Sequence, residues 1–262
     1  MTVKKKKSLG QNFLIDRFVL EKIVDTVKVS NKEILEIGPG SGNLTTYILK
    51  KNPQKVYVVE KDDDLTILLE DKFGDKVNII NEDILKVAEN KISNNKLTVF
   101  GNLPYNISTE ILSTWITNLG KKFWFESLVL MFQKEVADRI IAKSNTSKYG
   151  RLSILSSWKL NIKKIMDIKP ESFSPRPKVD SSLLLFTPRD NFFELMDAKN
   201  LEMITRVFFS QRRKMLKKPF NQIFKNAKEV SEKFNIDLNL RPQNLEPEMY
   251  FKLAKEYESL RR

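Results

Sequence analysis

Short aliphatic and β-branched runs recur along the first two-thirds of the chain, at 34–37, 56–60, 77–80, 97–100 and 127–132. Each is short, rich in Val, Ile and Leu, and bounded by polar or turn-forming residues, as expected of a strand covered on both faces. The stretches between them, among them 43–51 and 63–73, suit helices. Strand–helix alternation at this spacing predicts an α/β fold, a parallel Rossmann-like sheet with helices on both faces. Further strand-like runs lie near 152–158 and 182–186, with the proline-rich loop 173–179 between them. From about Phe192 onward the pattern is helical, without strand-like runs, and Pro219, Pro242 and Pro247 act as breakers. Two domains are therefore expected, 1–188 and a small α-helical one over 189–262.

The candidate chemistry sits at the strand ends. Glu36-Ile37-Gly38-Pro39-Gly40-Ser41-Gly42-Asn43 closes the first strand and opens a helix. Glycines at alternate positions, Gly38 and Gly40 foremost, let the backbone turn sharply and approach a ligand closely. Asn43 stands where a dinucleotide fingerprint wants its third glycine. Glu60 ends the second strand, at about the distance where an acid meets ribose hydroxyls, and Asp83 follows the third, placed to accept from an adenine amine. With no third glycine and no basic residue in the loop for a pyrophosphate, the expected cofactor is S-adenosylmethionine rather than NAD.

The fourth run leads into Asn102-Leu103-Pro104-Tyr105. The amide oxygen of Asn102 and the carbonyl of Leu103 can accept both hydrogens of an exocyclic amine, Pro104 stiffens the turn, and Tyr105 can stack on the ring. That equipment suits methylation of adenine N6. Phe173 is a candidate second stacking face. Singly, Asn102 could cap the following helix and either aromatic could be core; the set at one strand end favours a base pocket.

Composition narrows the chemistry. The 262 residues carry a formal charge of +13, which favours a polyanionic partner, and contain neither cysteine nor histidine. Thiolate-dependent methylation at cytosine C5 and Cys/His zinc deamination are thereby excluded. No metal is expected, because a sulfonium methyl is already activated. No apolar stretch approaches the ~20 residues of a membrane span. The lysines at 4–7 precede an apolar segment broken by Asp16 and Arg17, unlike a signal peptide. A soluble, cytoplasmic monomer is expected.

Arg206, Arg212, Arg213, Lys214, Lys217 and Lys218 fall within 13 residues that hold no acid. On one continuous helix, positions 206, 213 and 217 would share a face, with Ile204, Val207, Phe208 and Met215 turned to the core. The missing acids favour phosphate contact over a merely solvated face. The lysines at 4–7 could touch RNA likewise.

In order, Gln11-Asn12-Phe13-Leu14, Glu36-Ile37-Gly38-Pro39-Gly40, Glu60, Glu82-Asp83, Asn102-Leu103-Pro104-Tyr105-Asn106-Ile107-Ser108, Gln133-Lys134-Glu135-Val136, Tyr149-Gly150-Arg151-Leu152-Ser153 and the 173–181 segment resemble the ribosomal RNA adenine N6,N6-dimethyltransferase family. The likeness covers nearly the whole chain and is nearest to the bacterial small-subunit branch, whose C-terminal domain Gln211-Arg212-Arg213-Lys214 also resembles. It implies a class I methyltransferase sheet followed by a small helical domain. The implied reaction is S-adenosylmethionine-dependent dimethylation of two adjacent adenosines in the 3′-terminal hairpin loop of 16S rRNA. The implied partner is the small ribosomal subunit or its precursor, with a late role in its assembly. By the same resemblance Asn12, Leu14, Gly38, Glu60, Asp83 and Asn102 would line the cofactor site. Leu103 stands where many amino-methyltransferases have proline, which a backbone carbonyl tolerates. A large-subunit adenine dimethyltransferase of the macrolide-resistance type, or a non-catalytic RNA-binding assembly factor on the same fold, stays open.

Overall fold

A computed structural model describes residues 12–261; Gln11 and the lysines at 4–7 lie outside the described residues. The chain divides into two compact units, one of 1–112, 119–137 and 162–188, the other of 113–118, 138–161 and 189–262.

The first unit is built on β1 (Phe13–Leu14), β2 (Glu33–Ile37), β3 (Lys55–Glu60), β4 (Asn78–Asn81), β5 (Leu97–Asn102), β6 (Phe125–Gln133), β7 (Leu160–Ile168), β8 (Phe173–Ser174) and β9 (Ser181–Pro188). Seven of these form one sheet in the order β4-β3-β2-β5-β6-β9-β7, while β1 and β8 pair separately. From β4 to β6 neighbours run parallel, and β9 runs antiparallel to β6. The strand order turns back between β2 and β5, so the crevice at their carboxyl ends is where such a sheet receives a ligand.

Every residue of β2 is buried, so its apolar residues Ile34, Leu35 and Ile37 do not alternate with exposed ones. Helices α1 (Arg17–Val24), α2 (Asn43–Leu49) and α3 (Asp63–Phe73) supply Val19, Leu20, Ile23, Leu44, Ile48, Leu69 and Phe73 to a core shared with Ile34, Val56, Val58 and Phe100. Each such side chain contributes roughly 1.5–3 kcal/mol through burial. Two further helices, α4 (Ser108–Asn118) and α5 (Lys134–Ile140), follow β5 and β6.

The second unit contains α6 (Arg151–Lys159), α7 (Ala198–Ser210), α8 (Lys217–Ile223), α9 (Ala227–Lys233) and α10 (Pro247–Ser259). The strand expected near 152–158 is α6. Six of its nine residues are buried, so it has no polar face to reveal a helical period. The strand β7 escapes the sequence pattern because Lys163, Lys164 and Asp167 interrupt its apolar positions, as suits a strand at the sheet's edge. Pro219 does not break a helix. It is the third residue of α8, in the first turn, where its missing N–H has no helical acceptor to lose.

The continuous basic helix also fails. α7 ends at Ser210, and Gln211 leaves helical geometry at φ −121° and ψ 35°, so positions 206, 213 and 217 share no helical face. Ile204 and Phe208 are buried, yet Met215 is 58% exposed and Leu216 packs inside instead. The ring of Phe208 lies 5.4 Å from that of Phe220 and 5.6 Å from that of Tyr250.

Buried Glu258 of α10 accepts hydrogen bonds from the Met196 and Asp197 amides and from Asn200 Nδ2, each at 3.0 Å. These donors surround the start of α7, where amides have no helical partner. Glu258→Ala is expected to destabilise the second unit by about 2–3 kcal/mol, read as an earlier loss of Trp158 fluorescence in urea.

Candidate active site

The glycine loop leaves β2 with Gly38 at φ +64° and Gly40 at φ +58°, both left-handed. A Cβ on Gly40 would come within 2.6 Å of the Phe13 ring, so only glycine admits that close approach. The loop is held by Glu60, whose Oε2 accepts from Gly40 N at 3.1 Å. Its Oε1 accepts from Lys61 N at 2.9 Å and Asp62 N at 3.0 Å. Burial pushes the Glu60 carboxyl up from its ordinary value, against the pull of these three amides.

Asp83 lies at the end of β4. Its Oδ2 meets Lys61 Nζ at 2.7 Å and its Oδ1 accepts from Leu85 N at 3.1 Å. The Lys61 ammonium holds the Asp83 carboxyl below the usual carboxylate range. No sequence pattern singles out Lys61. Its pairing depends on β3 and β4 ending side by side, which no local pattern records.

At the end of β5, Asn102 Nδ2 donates to the Asn12 carbonyl at 3.0 Å, and its Oδ1 accepts nothing among the described residues. Leu103 is buried, its side chain packed beside Gly101, and it is among the residues lining the cavity. Pro104 turns the backbone, its carbonyl accepting from Ile107 N and Ser108 N at the start of α4. The Tyr105 hydroxyl shares a 2.6 Å hydrogen bond with Ser181 Oγ, and burial pushes the phenol up.

One cavity of about 190 Å³ gathers these groups. Asn12, Gly38, Gly40, Glu60, Asp83, Asn102, Leu103, Pro104 and Tyr105 all line it, with Phe13, Lys61 and apolar Ile37, Val59, Leu65 and Ile84. Leu14 and Phe173 do not. Leu14 lines a smaller neighbouring void, and its carbonyl accepts from Asn43 Nδ2 at 2.8 Å. Asn43, expected only as a missing glycine, thus fastens the N-terminal segment. Phe173 is 3% exposed, paired with Leu14 across β1 and β8 and packed in the core, so here it offers no second stacking face.

In the second unit Arg206, Arg213, Lys214, Lys217 and Lys218 are exposed. Arg212 is committed to its own chain: Nη2 donates to the Thr146 carbonyl at 3.1 Å and to that of Ser147, and Nε to Gln243 Oε1 at 3.3 Å. Expected as a phosphate contact, it instead ties down the 146–147 loop.

A family model for ribosomal RNA adenine dimethylase matches residues 2–259. The chain belongs to the ribosomal RNA adenine dimethylase family. It is similar to two curated proteins called Ribosomal RNA small subunit methyltransferase A. That of Pelagibacter ubique is 77% identical, with 100% of both chains covered. That of Wolbachia sp. subsp. Drosophila simulans is 42% identical, covering 98% of this chain and 95% of the relative. Among solved structures, a dimethyladenosine transferase from Plasmodium falciparum aligns with a TM-score of 0.78 at 25% identity, over 94% of this chain and 98% of that one. The 23S rRNA methyltransferase ErmE shares the fold, with a TM-score of 0.70 at 21% identity over 94% of this chain and 100% of that one.

Beside this candidate site, Glu36 is buried at the start of the glycine loop and accepts from Thr45 Oγ1 at 2.6 Å. Burial, with nearby Glu60 adding repulsion, pushes its carboxyl up to about 7. The folded state therefore holds this proton more tightly than the unfolded chain, whose ordinary value is 4.5, and stability falls as pH rises between the two. Glu36→Gln, which keeps the acceptor for Thr45, should flatten that fall, gaining on the order of 3 kcal/mol on the wild type between pH 4.5 and 7. Urea midpoints at pH 5 and pH 8 would read it; parallel pH profiles would refute it.

Proposed function

We propose that this chain transfers methyl groups from S-adenosylmethionine to the N6 of adenosines in small-subunit (16S) rRNA, forming N6,N6-dimethyladenosine. The observation that carries the reading is the Asn102 amide. Its Nδ2 is committed to the Asn12 carbonyl, which leaves Oδ1 as an acceptor on the cavity that Glu60 and the glycine loop also line. Family membership supports the adenine, and the small-subunit relatives support the substrate.

The cavity's donor set fits the cofactor. Its walls carry the Glu60 and Asp83 carboxylates and an apolar floor, and the one lysine among its described lining residues is paired with Asp83. That suits a nucleoside bearing positive charge and no phosphate. Glu60 would take the ribose hydroxyls, Asp83 the adenine amine, and the left-handed glycines the close backbone approach. When bound, the cofactor supplies a methyl group activated by a sulfonium centre.

The residues at the end of β5 act on the acceptor base. Its amine is a weak nucleophile because the lone pair is delocalised into the ring. Accepting its two hydrogens at Asn102 Oδ1 and the Leu103 carbonyl favours pyramidal nitrogen and frees that pair. The same oxygens ease the positive charge that develops on nitrogen, and orientation supplies the rest. Tyr105 stacks on the ring as a neutral phenol, and the spent proton leaves to water.

The finer parts belong to the same proposal: two adjacent adenosines in the 3′-terminal hairpin loop, a role in small-subunit biogenesis, and action as a cytoplasmic monomer. The first unit would carry the chemistry and the helical second unit the RNA or ribosome contact, through Arg206, Arg213, Lys214, Lys217 and Lys218. No helix among the described residues is long and apolar enough to cross a membrane.

Labelled S-adenosylmethionine offered with unmethylated small subunits, large subunits and naked rRNA, followed by mapping of the modified base, tests the assignment. Label on the large subunit alone would overturn the substrate. Asn102→Ala should keep the fold while lowering the transfer rate by ~10²-fold or more; near-normal turnover would sink its role. Replacing Arg213, Lys217 and Lys218 together with alanine should weaken rRNA binding and reduce its log–log salt slope by roughly 0.7–0.9 for each phosphate no longer neutralised. An unchanged slope would remove these residues from the interface.

A further inference from the structure

Ser181, the first residue of β9, is fully buried, and its Oγ meets the Tyr105 hydroxyl at 2.6 Å. Its position is rigid. It sits opposite Gln133 in the β6–β9 ladder, and the preceding Asp180 carbonyl accepts from Lys134 N at 2.9 Å. No other hydrogen bond to Ser181 Oγ is present among the described residues. A buried hydroxyl needs a partner, so this contact fixes where the far end of the Tyr105 ring stands. The near end is fixed by the turn at Pro104.

We propose that Ser181 is the positioning residue for the Tyr105 ring, and that their contact carries the reaction from the monomethyl to the dimethyl product. The proposal rests on the adenine N6-dimethyltransferase reading above. Each transfer forms one N6–C bond, breaks the donor's S–C bond with its electron pair left on sulfur, and releases one N6 proton to water. In the first transfer the amine has two hydrogens for Asn102 Oδ1 and the Leu103 carbonyl. In the second it has one. The base then loses one of its two polar anchors, and the stacking face becomes the larger part of what orients it. A ring free to tilt would tolerate the first transfer and fail the second.

The test is product analysis. Unmethylated small subunits are treated with wild type, Ser181→Ala, Tyr105→Phe, the double variant and Ser181→Thr, then digested for mass spectrometry of N6-monomethyl and N6,N6-dimethyladenosine. Ser181→Ala and Tyr105→Phe should each raise the mono-to-dimethyl ratio by roughly tenfold, the scale of a single hydrogen bond, while S-adenosylmethionine affinity stays level. The double variant should be no worse than either single, and Ser181→Thr, which keeps a hydroxyl, should restore dimethylation. A wild-type ratio in Ser181→Ala, or single effects that multiply in the double, would overturn the proposal. So would a parallel loss of cofactor affinity. Should Ser181→Ala fail to fold, Tyr105→Phe removes the same bond from its half-buried partner and decides alone. If only this proposal fails, the wild type still yields dimethyladenosine; a wild type that leaves N6 unmodified would sink the broader reading with it.

Discussion

The carboxylate of Glu60 is the joint on which the site depends. A parallel sheet delivers its strand ends to one edge, but each strand then turns away and leaves main-chain donors without ladder partners. Glu60 gathers three of them: Gly40 in the loop after β2, and Lys61 and Asp62 leading into α3. One side chain thereby sets the spacing between two neighbouring strand ends. It is buried while doing so, and burial of an acid is tolerable only when its oxygens are this well supplied. The same residue also lines the cavity.

The N-terminal segment is the opposite wall, and it is fastened by residues that face the chemistry. Asn102 grips the Asn12 carbonyl, Asn43 grips the Leu14 carbonyl, and Phe13 lies against Gly40. The amide proposed to hold the base is thus oriented by the segment that closes the cofactor side. Loss of that segment would disturb both halves of the site at once.

The sheet was legible in the sequence because its parallel strands are short runs rich in aliphatic and β-branched residues, and the acids and amide stand at or just past their ends. The failures have local causes. Residues 151–159 are buried nearly all round, so a helix there has no period to display. The edge strand β7 carries lysines that mask it. Arg212 reads as a free cation until its guanidinium is seen to be used by the 146–147 loop and Gln243. Lys61 carries no local signal, and nothing local foretells the contacts that Asn43 and Ser181 make, since each gains its meaning from a partner far along the chain.

The order of strands also governs how the chain can fold as it is made. β1 precedes the other described strands along the chain, yet its partner β8 comes after β7. β9 then takes its place between β6 and β7, both synthesised before it. The first unit is therefore incomplete until residue 188 has emerged, and 113–118 and 138–161, which belong to the second unit, are produced in the interval. Neither unit can finish before the other has begun. Such non-local pairing folds slowly and exposes unpaired edges while it waits. A formal charge of +13 makes copies of the chain repel one another, which opposes association of such unpaired edges while the sheet is incomplete.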